Sequence, residues 1–169
     1  MKKLIKISVL GAALLVGGGL LFTPLNISAV TPVQSITRAS GAATSPAELD
    51  SHRRFALGMI ETGNDDYEIG GLGEVSRYQI MPSVWRHYSD TRRYQDPGAS
   101  LAVAQKHWLA LYNAFKNQAH REPTDFDMYV LWNTRYGYYA SRGFSPARLN
   151  SVVRDRAQRF VNLIGRSQG

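Results

Sequence analysis

The sequence predicts a mainly α-helical domain with a small β-hairpin or irregular segment near its centre. Apolar residues recur at helical spacing in several windows, and the clearest stripe is Leu101, Ala104, Trp108, Leu111 and Phe115. Helix start signals, Ser45-Pro46, Thr124 with Asp127, and Ser145-Pro146, precede such windows. Credible strand material is confined to residues 66–80.

The N-terminus comes first. Lys2, Lys3 and Lys6 precede the uncharged run 7–22, and the small residues Ser28 and Ala29 follow. That is the order of a secretory signal peptide, so residues 1–29 are expected to direct export to the periplasm or beyond, with cleavage after Ala29. The alternative is a retained membrane anchor. Against it, Gly17, Gly18, Gly19, Thr23, Pro24 and Asn26 interrupt both helix and hydrophobicity. A membrane partner is expected only if that segment stays attached. The chain has no cysteine, which excludes a lipid-modified N-terminal cysteine and any disulfide. An exported domain of this kind must rest on its packed core.

Residues 1–29 carry three lysines and no acids, so their removal lowers the formal charge from +7 to +4. A mild positive charge suits anionic polymers such as cell wall, nucleic acid or membrane surface, without choosing among them. Residues 30–47 are small, polar and aperiodic, and read as a flexible linker. Residues 48–169 read as one domain, long enough to bury a single core.

Within the domain, Ser45 is expected to cap the first helix, with Pro46 in its first position and Glu48 completing a capping box. Leu49, Ala56, Met59 and Ile60 form its apolar stripe, and Gly63 is its stop. Glu61 then falls in the last turn, beside that stripe. A hairpin is expected to turn around residues 70–73. A short helix follows over Pro82–Tyr88, and a long one over about 98–119. Thr124 with Asp127 opens a helix through Met128, Leu131 and Trp132. Ser145-Pro146 opens the last helix, with Leu149, Val152, Val153, Phe160 and Ile164 facing inward.

Several chemistries lack an anchor. No GxxxxGK[ST], GxSxG or HExxH pattern occurs, which removes the phosphate loop, the serine elbow and the zinc helix. The four histidines are scattered without ligand spacing, so no metal and no cofactor are expected. Basic residues are dispersed along the chain with no recognition motif, so nucleic acid is not an expected partner.

Carboxylates remain. Where a helix ends against apolar residues, desolvation and the negative helix terminus both raise a carboxyl's pKa. A carboxyl kept protonated near neutral pH can donate to a leaving oxygen, as glycosidic cleavage requires. Glu61 is in such a place; a solvated surface acid is the plain alternative.

Three segments then come in order: Glu61-Thr62, Gln79-Ile80-Met81-Pro82 and Leu131-Trp132-Asn133. Together they resemble the three motifs of the soluble lytic transglycosylases and their lysozyme-like relatives, over residues 49–163. The resemblance implies a lysozyme-like helical fold and, as substrate, peptidoglycan or a related N-acetylated glycan. It makes Glu61 the catalytic acid at the N-acetylmuramic acid–N-acetylglucosamine bond, with 1,6-anhydro-muramic products. Gln79 and Asn133 would hold the sugar or the acid; the equal alternative for each is a buried amide that satisfies local backbone.

There are departures from the family pattern. Thr62 replaces Ser but keeps a hydroxyl. Ser76-Arg77-Tyr78 replaces Gly-Leu-Met. Leu131-Trp132 replaces Ala-Tyr and removes a hydroxyl, which Tyr129, Tyr136, Tyr138 or Tyr139 could supply. Tyr136 is the expected substrate-contacting tyrosine. Trp85, Trp108 and Trp132 sit at helical positions and read as core.

Hydrolytic relatives, including plant-type chitinases and goose-type lysozymes, place a further acid after this helix. Glu74 is therefore a possible second acid, able to activate water from roughly 6.5–9.5 Å away. An ion pair with Arg77 or another arginine is the simpler role for Glu74, and Asp65 and Asp66 read as turn residues. A non-catalytic glycan-binding or scaffold domain of the same fold is the third reading.

Overall fold

The computed structural model describes residues 44–166. The expected signal peptide 1–29 and nearly all of the linker 30–47 lie outside the described residues. The described part is mainly helical: α1 (Ser51–Glu61), α2 (Pro82–Tyr88), α3 (Pro97–Ala119), α4 (Asp125–Asn133), α5 (Tyr136–Ala140) and α6 (Ser151–Arg166), with a 3-10 turn at Pro146–Arg148. None of the described helices is long and apolar enough to cross a membrane.

Helix α1 starts later than its sequence signals suggest. Asp50 is its cap and accepts from the backbone N–H of His52 (3.0 Å) and Arg53 (2.9 Å). Ser45 to Glu48 is a turn instead, closed by the Glu48 N–H on the Ser45 carbonyl at 2.9 Å. The reason is Arg53. Its buried guanidinium donates to the carbonyls of Thr44 (3.1 Å), Ser45 (3.0 Å) and Glu48 (3.2 Å), and so holds the lead-in segment out of helical register. The same group pairs with Asp50 at 2.8 Å and with Asp125 on α4 at 2.6 Å.

The far end of α1 behaves as expected. Gly63 takes the left-handed conformation at φ 70°, followed by Asn64 at 68°. Thr62 donates its hydroxyl to the Arg77 carbonyl (3.1 Å), which ties the end of the helix to the next segment. On the helix surface Met59 is exposed, and Leu57 takes the buried place beside Ala56.

The hairpin shrinks to a single rung. Val75 and Ile80 exchange both backbone hydrogen bonds at 2.9 Å, and no strand forms among the described residues. Residues 70–74 do turn, with the Gly70 N–H on the Glu74 carbonyl at 3.0 Å, but pairing begins beyond that turn and stops where Pro82 opens α2. There is too little chain between the two turns and the proline for a ladder to extend.

The later helices differ mainly at the last start. Thr124 and Asp127 form the expected capping box of α4. Buried Asp127 also accepts from Arg121 (2.8 and 3.0 Å) and from the Tyr139 hydroxyl (2.6 Å). Pro146 opens only the 3-10 turn. Leu149 adopts an extended backbone, which carries its side chain into the core, and Asn150 caps the helix proper by accepting from the Val153 N–H at 2.9 Å. Val152 is consequently 67% exposed rather than inward.

Helix α6 packs against both α1 and α4, and α3 covers α4 and α2. Trp85, Trp108, Phe115, Tyr129, Tyr139 and Phe160 fill the space between them. Trp132 packs against this core as expected but is only half-buried, and its indole N–H donates to the Tyr78 carbonyl at 3.1 Å.

Replacing Arg53 by Ala should lower the unfolding free energy by about 3 kcal/mol, because Asp50 and Asp125 lose their buried cation and the turn before α1 its donor. Urea denaturation measures this. A loss below about 1 kcal/mol would reduce the clamp to a surface ion pair.

Candidate active site

Glu61 is the last residue of α1, and its side chain is only 7% exposed. The packing of α1 and α4 on α6 brings two donors to it. The Tyr129 hydroxyl on α4 donates to Oε1 at 2.7 Å, and Arg156 Nη2 on α6 donates to Oε2 at 3.0 Å. The triangle closes through Arg156 Nε, which donates to the Tyr129 hydroxyl oxygen at 3.0 Å. Tyr129 is fully buried and stacked on Phe160, with ring centroids 5.1 Å apart. Its hydroxyl is therefore a rigid reference point.

Burial pushes the Glu61 carboxyl above the ordinary glutamate range. The hydrogen bond from Tyr129 and the guanidinium of Arg156 pull it down without cancelling that effect, and the charge of Glu74 adds to the upward push. Tyr129 is raised by its own burial and by Glu61, so its hydroxyl keeps its proton and serves as a donor.

Glu61 opens onto a groove of about 620 Å³ that is also lined by Glu74, Gln79, Trp132, Asn133, Arg135 and Arg156. Four of the residues singled out in the sequence, Glu61, Glu74, Gln79 and Asn133, thus share one wall-to-wall space. Another hollow of about 590 Å³, between Arg54, Phe55 and Arg77, has no carboxylate in its lining.

Glu74 and Gln79 meet because position 70 has no side chain. A Cβ on Gly70 would lie 2.2 Å from Gln79 Oε1 and 2.3 Å from Glu74 Oε2. Gln79 itself has φ 50°, and Ser76, at the other end of the same turn, has φ 65°. Non-glycine residues held there store strain, which surrounding contacts must hold in place. The expected Glu74–Arg77 pair does not form. Arg77 turns away from the groove to Asp66, with Nε 2.6 Å from Oδ1, while Glu74 Oε2 accepts from the Leu72 N–H at 2.9 Å. Asp65 does act as a turn residue, accepting from the Tyr67 N–H at 2.8 Å, whereas Asp66 is an ion-pair partner.

Tyr136 lies apart from this constellation. It lines a neighbouring pocket of about 350 Å³ with His107, Leu111 and Trp132. Its hydroxyl is engaged by the Ala114 carbonyl (2.9 Å) and the Gln118 side chain (2.8 Å). Tyr139 is committed to Asp127, and the Tyr138 hydroxyl faces the Asn150 N–H at 3.4 Å. Of the four candidate tyrosines, Tyr129 is the one that reaches Glu61.

Arg156 escaped the sequence reading. Its signal was present: Val153, Ala157, Phe160 and Ile164 form the buried stripe of α6, and position 156 lies on that stripe, three residues after Val153 and four before Phe160. A cation on an inward face asks for a buried anion.

The raised Glu61 carboxyl has a stability consequence. The folded state holds this proton more tightly than the unfolded chain, so the group's contribution is full below the ordinary value of 4.5 and is lost as pH rises through the folded value. The difference in unfolding free energy between wild type and Glu61→Gln should therefore fall across that window and level off above it. Urea denaturation at stepped pH tests this, and the opposite slope would mean that Arg156 holds the carboxyl ionised. Comparison with protein-family models, with curated proteins and with solved structures finds no match for this chain.

Proposed function

We propose that this chain is an exported lytic transglycosylase with a lysozyme-like fold, acting on peptidoglycan or a closely related N-acetylated glycan, with Glu61 as its acid. The observation that carries the reading is a buried carboxyl, titrating above its ordinary range, on the wall of an open groove. Such a group takes up a proton more readily than an exposed glutamate, on a wall where a substrate oxygen can receive it.

In this reading protonated Glu61 donates to the glycosidic oxygen. The C1–O bond breaks, and its electron pair leaves with that oxygen. The substrate's acetamido group stabilises the cation developing at C1. The C6 hydroxyl of the same sugar then bonds to C1, its proton returns to Glu61, and a 1,6-anhydro ring results without water. Gln79 and Asn133 line the groove and would hydrogen-bond the sugar, Gln79 by loosening the 3.4 Å bonds of its amide nitrogen to the Glu68 and Ser76 carbonyls, while the half-buried Trp132 would offer it an apolar face.

Hydrolysis is the second reading, favoured by the presence of Glu74 in the same groove and by its electrostatic push on Glu61. There Glu74 would activate a water on the opposite face of the sugar. The tie of its Oε2 to the Leu72 N–H, inside a tight turn, favours a supporting role and keeps transglycosylation ahead.

The test is mass spectrometry of soluble fragments released from purified sacculi. Fragments ending in 1,6-anhydro-muramic acid are expected from wild type, with a loss of at least about a hundredfold in Glu61→Gln. In that case Glu74→Gln should retain most of the activity. Reducing ends carrying added water, abolished by Glu74→Gln, would establish hydrolysis instead. Folded protein that sediments with sacculi yet releases nothing would be a glycan-binding domain.

A further inference from the structure

As the groove stands, each oxygen of Glu61 accepts one side-chain hydrogen bond. Tyr129 holds Oε1 and Arg156 holds Oε2. An acid must carry a proton, and of the two donors the cationic one opposes protonation by its charge as well as by its hydrogen bond, so the departure of Arg156 is what would favour the acid form. Tyr129 is fully buried and stacked on Phe160. Arg156 is 35% exposed, lines the groove and sits on a long flexible stem. Arg156 is the donor that can move.

A guanidinium does not readily leave a carboxylate for a neutral hydroxyl or amide. It exchanges one carboxylate for another, because the charge-assisted, two-pronged hydrogen bond is then replaced in kind. The groove lining carries charges of both signs around Glu61. Arg135, exposed in the same lining, adds a second positive charge beside Arg156, while Glu74, turned toward Gly70, is the carboxylate that an incoming anion must avoid.

We propose that Arg156 selects glycans bearing a carboxylate: the substrate's carboxylate replaces Glu61 as the partner of Arg156, and Glu61 takes up a proton from solvent and becomes the acid. The inference rests on the reading of Glu61 as the acid. The groups facing Glu61 are Tyr129 from α4, Arg156 from α6 and Glu74 from the segment after α1. Only the Arg156 contact is lost on exchange, and every remaining change raises the affinity of Glu61 for a proton. The incoming carboxylate belongs either to the lactyl ether of the sugar or to a peptide attached there.

The Glu61 side-chain carboxyl can be followed by carbon NMR in the purified chain, titrated alone and with each of three probes. N-acetylglucosamine is the neutral control. N-acetylmuramic acid carries the lactyl carboxylate, and N-acetylmuramyl-L-alanyl-D-glutamate carries carboxylates only on its peptide. The Glu61 midpoint should rise by about one pH unit more with one of the acidic probes than with the neutral sugar, and which probe does so names the source. In Arg156→Gln the midpoint should already be high without ligand and respond alike to all three, whereas Arg156→Lys should keep part of the response. Arg135→Gln should weaken binding of the acidic probe but preserve the rise once it is bound.

Cleavage supplies the second readout. The wild-type preference for acidic glycan over neutral chito-oligosaccharide, in kcat/KM, should fall about tenfold in Arg156→Gln. A Glu61 midpoint that no acidic probe moves beyond the neutral control, whether or not it binds, overturns the exchange. Cleavage without that preference overturns it too and leaves the acid role of Glu61 standing. A selective rise without cleavage of any glycan keeps the exchange and removes the enzyme.

Discussion

Helices α1, α4 and α6 meet where Arg156 donates to Tyr129 and to Glu61, and where Tyr129 in turn donates to Glu61; the groove takes its position from that closed set of bonds. Each member makes demands on the others. A carboxylate this buried requires donors. A guanidinium drawn toward the core requires an anion. A buried tyrosine requires a partner for its hydroxyl. The three needs are met together when α6 packs on both α1 and α4, so the site and the packing of the helices are one problem with one solution.

A second polar tie makes the solution stiffer. Arg53, near the start of α1, reaches Asp125 in the first turn of α4, while Glu61 at the other end of α1 reaches Tyr129 further along α4. Two ties at separated points on the same pair of helices oppose both sliding and rotation. The Asp127 cluster then secures the start of α4 against the residues around Tyr139. Irregular chain between α1 and α2 can be threaded past this frame, and the strained turn ending at Gln79 is held by the Val75–Ile80 rung and by the Thr62 hydroxyl.

Most of what the sequence made legible was local. The end of α1 at Glu61, the left-handed stop at Gly63, the short helix at Pro82 and the Thr124–Asp127 box all depend on residues within a turn of one another, and all are where the pattern put them. The co-location of Glu61, Gln79 and Asn133 was legible only through an ordered resemblance. What stayed hidden depended on distant partners. Ser45 lost its capping role because Arg53 claims the carbonyls around it. Arg77 chose Asp66 over the nearer Glu74, which no spacing rule decides. Tyr129 stood among four tyrosines until the crossing of α1 and α4 selected it. Arg156 is 95 residues from Glu61, and its only trace was a cation on an apolar stripe.

The Tyr129 hydroxyl also makes the two ends of the Glu61 carboxyl chemically different. A phenol has one proton, and here it points at Oε1, because its oxygen already accepts from Arg156 Nε. With Arg156 in place both oxygens accept a hydrogen; once Arg156 moves away, Oε1 still accepts from Tyr129 and Oε2 is the oxygen left open to protonation. A symmetric carboxylate is thereby given a front and a back. The buried tyrosine on α4 thus distinguishes two otherwise equivalent oxygens, a stereochemical choice made by a residue set behind the lining of the groove.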